Sequence, residues 1–464
     1  MKYGAKTGFF WRLANRAEEE ARRRAEGFRW DPFAGEAPAG GDAREDAARR
    51  PRAPLRVLLS DGGSSPFQVI ADPRVEMVRP PDPRAAEPDI VVLARIDLLD
   101  FAASAANVPH TAWDRLASGA AKLVLDASSE GHVHHPERTA AMHGFLRAKG
   151  VALTDTAYVT QDRGYLEPYR DHCADLGLGD ERMQVWVHDR HIRSIFVPYD
   201  SGEGEIAFYR RLRLYALAEA QRARRFISLN RTVRAGKAMF LLSLLRDGLW
   251  DKGFISLGPP DELLQRRGVD PAVYDWRLRR ELPGFDDLID ELSPLMDRLE
   301  ALAPIVVGAP EADWSNTSRK AQLGATPFPE YQQSWFTVVT ETDMTDRLHR
   351  ITEKPFKPLL NFHPLVFLAS QGALRLLRAY GFETFSGFFD EAYDDEPDPR
   401  RRFDMVYEQV RRLCAADEDE LARRNDAAAE AVVFNAHWGL LKLPELFRTR
   451  IDAALVDQLL RLAG

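Results

Sequence analysis

The sequence predicts an α/β protein built from two doubly wound halves, with a charged N-terminal tail and a C-terminal helical extension. Three observations carry this expectation. From Leu55 onward, apolar runs of strand length alternate with segments of helix length. The alternation breaks near the middle of the chain, having restarted once at "RFISLN", residues 225–230. At 464 residues the chain also exceeds what one ordinary core organises. Short apolar runs alternating with helices indicate a parallel sheet covered on both faces.

Residues 1–52 form a flexible or helical tail in this reading. Glu18–Arg22, Glu19–Arg23 and Glu20–Arg24 are spaced four apart, which supports a charged helix. The following stretch, "DPFAGEAPAGGDAREDAARRPRAP", is rich in Ala, Gly, Pro and charge and is expected to lack fixed structure. The tail carries 12 Lys/Arg against 9 Asp/Glu, beside Phe9, Phe10 and Trp11. Weak attachment to an anionic membrane, docking to a partner and a simple solvated tail are all open on that composition. The apolar patch is too short for a signal peptide and lacks a small-residue cleavage site.

The first half spans residues 53–205. "LRVLLSD", "DIVVLARID" and "AKLVLDASSEG" read as buried strands, and "HTAWDRLASGA" and "PERTAAMHGFLRAKG" as helices, the latter ending at Gly150. "QVWVHDRHIRSIFVPYD" reads as further strand. A long helix over residues 206–225 connects to the second half, 226–415, which opens with the strand "RFISLN", the helix "RAGKAMFLLSLLRDG" and the strand "GFISLG". Residues 259–330 break the rhythm and read as an insertion. "SWFTVVTET" and the helix "GALRLLRAYG" resume it, and residues 416–464 form C-terminal helices. In doubly wound sheets, ligands bind beyond the carboxyl ends of the strands, here in a cleft between the halves.

Composition narrows the function classes. Apolar residues make up 45% and charged residues 29%, a soluble globular profile, and the net charge of −8 argues against a general nucleic-acid binder. No stretch approaches the roughly 18 uninterrupted apolar residues of a membrane span. Two distant cysteines, Cys173 and Cys414, argue against a disulfide scaffold and a cysteine zinc site and suit a cytoplasmic setting.

Several strand ends carry candidate chemistry. "DGGSSP", residues 61–66, follows the first strand; it is either an anion-contacting loop or a tight connection. "EGHVHH" places Glu130, His132, His134 and His135 after the strand "KLVLD". Alternating histidines could bind a metal, but a surface cluster is the commoner outcome, and a carboxylate or imidazole there could act as general base. In the second half, Asn230, Arg231 and Arg234 follow a strand at the start of a helix, where cations are unfavourable unless an anion joins them. "RITEKPFKPLLNFHPLVFLAS", residues 350–370, puts Thr352 in N-cap position and Pro355 in a first turn. A cap explains Thr352 and Glu353 but not Lys354 and Lys357 at a helix start. A ligand with sugar hydroxyls and phosphates explains all four, with Glu341 at the end of "FTVVTE" facing the same crevice.

"FISLNRTVR", "WFTVVTET" and "ITEKPFKPLLNFHPLVFLAS", in this order, resemble the donor-binding half of α1,3-fucosyltransferases and related bacterial glycosyltransferases. "GFETFSGFFDEAYDDEPDPRRR" is similar to the bacterial relatives as well. The resemblance covers roughly residues 226–415; Arg350 stands where the fucosyltransferases carry an aromatic residue. It implies two facing Rossmann-like domains, the GT-B arrangement, with an N-terminal acceptor domain and a C-terminal nucleotide-sugar-binding domain. Arg234, Glu341, Glu353 and Lys354 match the family's donor-binding positions in order, and Asn230, Arg231 and Thr352 beside them complete the expected donor site; Glu130, or His132 as second choice, is the expected base. The expected reaction is inverting, metal-independent transfer of a hexosyl or fucosyl-like group from a nucleotide-diphosphate sugar, with no other cofactor. The acceptor would be a glycan, a lipid-linked glycan or a protein, reached in the cytoplasm or at the inner face of the membrane. The rival expectation is a non-catalytic nucleotide-sugar- or glycan-binding protein derived from such an enzyme.

Overall fold

The computed structural model describes residues 2–29, 53–60, 66–80, 82–94, 105–128, 132–196, 203–218, 222–258, 271–308, 328–345 and 348–464. The "DGGSSP" loop up to Ser65, Glu130, most of the segment from Asp31 to Pro54, and two parts of the 259–330 insertion lie outside the described residues. The chain divides into two compact units, one of Arg29–Arg193, Leu348–Arg350 and Leu446–Gly464, the other of Met1–Phe28, Ser194–Arg347 and Ile351–Glu445.

The first of these holds a six-stranded parallel sheet: β1 (Leu55–Leu59), β2 (Val75–Val78), β3 (Ile90–Ala94), β4 (Lys122–Asp126), β5 (Thr156–Thr160) and β6 (Gln184–Val187), in the order β2-β1-β3-β4-β5-β6. Its inner strands β1, β3 and β4 are mostly apolar because both faces are buried, while the edge strand β2 carries Glu76 and is only partly buried. Leu58, Val91, Leu93, Leu123, Leu125 and Tyr158 join Trp113, Met142 and Leu146 of the helices His110–Ala117 and Pro136–Ala148 in one core layer. Val57, Leu59, Val92, Val124 and Val159 face the other way, against Leu455 and Leu459 of the C-terminal helix Asp452–Ala463. Gly150, at φ 71, ends the helix Pro136–Ala148 in the left-handed conformation that favours glycine.

One expected strand is a helix. After β6, "RHIRSIF" forms the helix Arg190–Phe196. Ile192, Ile195 and Phe196 are buried at three- and four-residue spacing, which a helix places on one side.

The second unit holds a four-stranded parallel sheet, β7 (Phe226–Asn230), β8 (Gly253–Leu257), β9 (Phe336–Thr340) and β10 (Leu365–Leu368), in the order β10-β9-β7-β8. The helix Ala235–Arg246 between β7 and β8 is buried almost along its whole length, from Ala235 to Leu245. The described part of the insertion forms the helices Pro271–Glu281, Asp286–Leu292 and Met296–Leu302. The N-terminal helix Lys2–Gly27 belongs to this unit and packs on the helix Glu418–His437. Leu13, Ala14, Ala17 and Ala21 form its buried stripe, while Arg24 bonds Glu20 at 3.2 Å, Gly381 O at 2.8 Å and lies over the Phe434 ring. Among the described residues no helix is long and apolar enough to cross a membrane.

Candidate functional site

In the four-stranded sheet the chain passes from β7 to β8 on one side and returns to β9 on the other. The segments leaving β7 and β9 therefore diverge, and their carboxyl ends meet at the point where ligands of doubly wound sheets bind. Asn230 ends β7 and Glu341 follows β9, so this reversal collects the residues singled out from sequence.

Asn230 is fully buried and works as a clip. Its N–H donates to Ser256 Oγ at 2.9 Å and its carbonyl accepts from Gly258 N at 3.0 Å, tying β7 to β8. Its side-chain Oδ1 accepts from Thr340 Oγ1 at 2.8 Å, tying β7 to β9, and Nδ2 donates to Ser228 Oγ at 3.2 Å. The next turn is equally constrained: a Cβ on Gly258 would lie 1.8 Å from the Arg231 carbonyl oxygen, so only glycine fits.

Arg231, Thr232 and Arg234 are exposed on the turn that leads into the helix Ala235–Arg246. Arg234 occupies the N-cap position in extended backbone and supplies no side-chain cap. The first-turn amides and the positive end of the helix dipole thus accompany two guanidinium groups, an arrangement suited to an anion.

Thr352 is not a helix cap. The helix begins later, at Phe356, with Pro355 in the N-cap position, and Thr352 is drawn instead to Glu341. Its N–H and hydroxyl lie 2.9 and 2.8 Å from Glu341 Oε1. Lys354 Nζ sits 3.2 Å from Glu341 Oε2, 3.1 Å from Thr342 Oγ1 and 2.8 Å from Thr352 Oγ1. Burial by itself raises the Glu341 carboxyl, but the Lys354 ammonium and the Thr352 donors outweigh it and hold the group below the usual carboxylate range, against the nearby charge of Glu353. Glu341 is therefore an ionised, buried anchor for the Thr-Glu-Lys turn.

Sequence reasoning missed Lys237. It lies in the first turn of the helix Ala235–Arg246, is buried, and donates from Nζ to Thr232 O at 3.0 Å. Burial, then the like charges of Lys354 and Arg234, push its ammonium down to about 7, partly offset by Glu341 and Glu353. Lys357 is held below the usual lysine range by burial, with Lys354 and Arg231 adding to the effect and Glu353 opposing it. Arg231, Arg234, Lys237, Lys354 and Lys357 thus share one electrostatic neighbourhood with only Glu341 and Glu353 as the acids acting on it in these interactions. A lysine inside the otherwise apolar "AGKAMFLLSLL" was the available signal for Lys237.

In the six-stranded unit, Glu130 lies outside the described residues, and His132 is half-buried on the segment between β4 and the helix Pro136–Ala148. His134 packs against Tyr165, Tyr169 and His172, and burial lowers it to about 4. Among the described residues no group of three or more His, Cys, Asp or Glu is placed to hold a metal ion. Asp162, just past β5, is a buried carboxyl not foreseen from sequence. Its Oδ1 accepts from Gly164 N and His349 N at 3.0 Å each, and burial nevertheless raises it above the usual range.

No family model matches this chain, and no curated protein or solved structure does either.

Proposed function

We propose that the chain is a glycosyltransferase of the GT-B type that moves a sugar from a nucleotide-diphosphate sugar to a hydroxyl of a glycan, lipid-linked glycan or protein. The observation that carries this reading is the interacting set Arg231, Arg234, Lys237, Lys354 and Lys357, in which Lys354 sits 3.2 Å from the buried Glu341 past β9 and Arg231 and Arg234 follow β7. Such a site suits a diphosphate attached to a hydroxyl-bearing sugar: Arg231, Arg234, Lys357 and the helix amides meet phosphate oxygens, while Glu353 accepts from hydroxyls. Glu341 and Lys354 shape the turn that presents them.

In the reaction the acceptor oxygen attacks the anomeric carbon from the face opposite the diphosphate, inverting it. The electron pair of the breaking bond goes to the diphosphate oxygen, where the cations stabilise the developing charge and take the part a bridging metal would otherwise play. A base from the other unit, Glu130 or His132, takes the proton of the acceptor hydroxyl. Both cysteines are free and buried, in keeping with a cytoplasmic enzyme.

The test is a thermal-shift and calorimetric screen against GDP, UDP, CDP and dTDP, followed by donor-turnover assays with the nucleotide that binds. A ligand that binds only the folded chain raises its melting temperature. Failure of all four to bind would sink the reading, and binding without transfer or donor hydrolysis would leave a nucleotide-sugar-binding protein.

A further inference from the structure

Arg402 is a buried arginine that helix packing does not call for. It is the fourth residue of the helix Pro399–Ala415 and is only 2% exposed. Phe403, Val406, Val410 and Leu413 already supply that helix with its buried apolar side. An apolar side chain would fill the Arg402 position without the desolvation of a guanidinium. Its hydrogen bonds show what it does instead. Nε donates to Ala369 O at 3.0 Å, Nη2 to Met344 O at 2.9 Å, and Nη1 to Glu396 O. Ala369 directly follows β10, Met344 lies four residues past β9, and Glu396 stands shortly before the helix itself. One side chain thus ties together the backbone leaving two neighbouring strands.

The Met344 side chain carries this hold to the other side of the site. It is buried, and a Cβ on Gly236 would lie 2.8 Å from its Sδ and 3.0 Å from its Cγ. Gly236 is the second residue of the helix Ala235–Arg246, flanked by the N-cap residue Arg234 and by Lys237. Met344 is therefore seated on the opening turn of that helix, in a gap that one methyl group would close. The same loop begins with Glu341, whose N–H donates to Leu368 O at 2.9 Å and whose carboxylate holds Thr352 and Lys354. The Arg234 side and the Lys354 side are joined by the Thr340–Asn230 bond at the strand ends, and again by the Met344–Gly236 contact beyond them.

We propose that Arg402 and Met344 are positioning residues for the diphosphate. Arg402 fixes the Met344 backbone, and Met344 sets the opening turn of the helix Ala235–Arg246 against the Thr-Glu-Lys turn. This inference rests on the reading of the site as a nucleoside-diphosphate site and adds what keeps its two sides in register. Groups that meet one ligand from separate segments need their supports held to within about 0.5 Å. Because the Met344 carbonyl is held by Arg402, a methyl added at Gly236 is not relieved by a shift of the whole loop. It displaces the start of the helix, and with it the first-turn amides and Arg234.

The test titrates the full chain calorimetrically with inorganic diphosphate and with GDP, UDP, CDP and dTDP, and records melting temperatures alongside. Gly236→Ala puts a better helix former into helical backbone, so the chain should stay folded. Its affinity should fall roughly tenfold, as for the loss of one charged hydrogen bond at the low end of the range. Gly236→Ala/Met344→Ala removes the opposing side chain and should regain most of that affinity, although lost burial lowers its melting temperature. Arg402→Lys keeps the charge but cannot serve three carbonyls, and should bind as weakly as Gly236→Ala. Should Arg402→Lys not fold, the two Gly236 variants decide. Purely structural roles for Arg402 and Met344 would lower melting temperatures and leave every affinity at the wild-type value, which would overturn the proposal. A double variant as weak as Gly236→Ala alone would overturn it too, because the effect would not pass through Met344. If the wild type binds none of these probes, the nucleotide reading falls and this inference with it. Wild-type binding that the variants do not change strikes this inference alone.

Discussion

Thr340 Oγ1 donates to Asn230 Oδ1 across 2.8 Å, joining the carboxyl ends of β9 and β7 where the strand order of the sheet reverses. Both residues are buried, so the bond has no water to replace it. Thr340→Val keeps the volume and leaves the Asn230 oxygen without this donor. Unfolding in urea should show a loss of about 1–3 kcal/mol, the cost of a buried polar group left unsatisfied. An unchanged midpoint would mean the turn after β7 is held by other contacts.

Lys354 is tied to stability, because its ammonium faces the buried Glu341. Lys354→Ala leaves that carboxylate without its cation and should cost about 3–5 kcal/mol, the usual loss on breaking a buried pair. Glu341→Gln/Lys354→Met should recover much of the loss. The Glu341 carboxyl is held low in the folded chain, so its contribution is full above the unfolded value of about 4.3 and fades as pH falls through the folded value. A wild-type stability that stays parallel to the double variant from pH 6 to pH 3 would contradict this coupling.

Much of this architecture could be read from the sequence because parallel strands buried on both faces are continuous apolar runs. "LRVLL", "FISLN" and "FTVVT" all became strands for that reason. What could not be read depends on distant partners. "RHIRSIF" is short and apolar enough for either element, and its burial pattern decides for helix. Thr352 has cap chemistry, yet Glu341, eleven residues earlier, competes for its hydroxyl and wins. Lys237 looked like one polar residue in an apolar helix, since only the packed unit shows that its ammonium is buried beside Lys354 and Glu341.

Arg234 offers the cleanest separation of binding from folding. It is exposed and makes no cap to its helix. Arg234→Ala should leave the melting temperature unchanged and weaken nucleoside-diphosphate binding by about 1.5–3 kcal/mol, the range for a charged hydrogen bond. Calorimetric titration showing wild-type affinity would remove Arg234 from the site.

Lys237 makes the site sensitive to pH. Its folded value of about 7 lies below the unfolded value of about 10.4, so the unfolded chain binds more protons between these limits. Stability should therefore rise with pH across that window, by on the order of 1 kcal/mol per unit relative to Lys237→Met. A diphosphate bound nearby favours the charged ammonium, so binding should take up a proton and weaken from pH 7 to pH 9. Titrations in buffers of different ionisation enthalpy measure that uptake, and a wild type that matches Lys237→Met in both respects would exclude the lysine from the site's electrostatics.

On the glycosyltransferase reading proposed above, three side chains of the six-stranded unit compete for the role of base. Glu130 is the carboxylate expected from sequence, His132 the imidazole two residues on, and Asp162 the buried carboxyl raised by its surroundings. A base must accept the acceptor proton directly or through one water, so replacing it with its amide should lower transfer by roughly 10²–10⁴-fold and spare donor affinity. Glu130→Gln is expected to behave in this way. Asp162→Asn separates two roles, since Asp162 also accepts two backbone N–H groups, from Gly164 and His349. A structural Asp162 predicts a lower melting temperature with wild-type turnover, whereas a catalytic one predicts lost turnover and a pH–rate profile shifted on its acid limb. His132→Asn is the remaining arm. If all three variants keep wild-type transfer rates, deprotonation does not occur in this unit, and the division of labour between the two sheets proposed above is wrong.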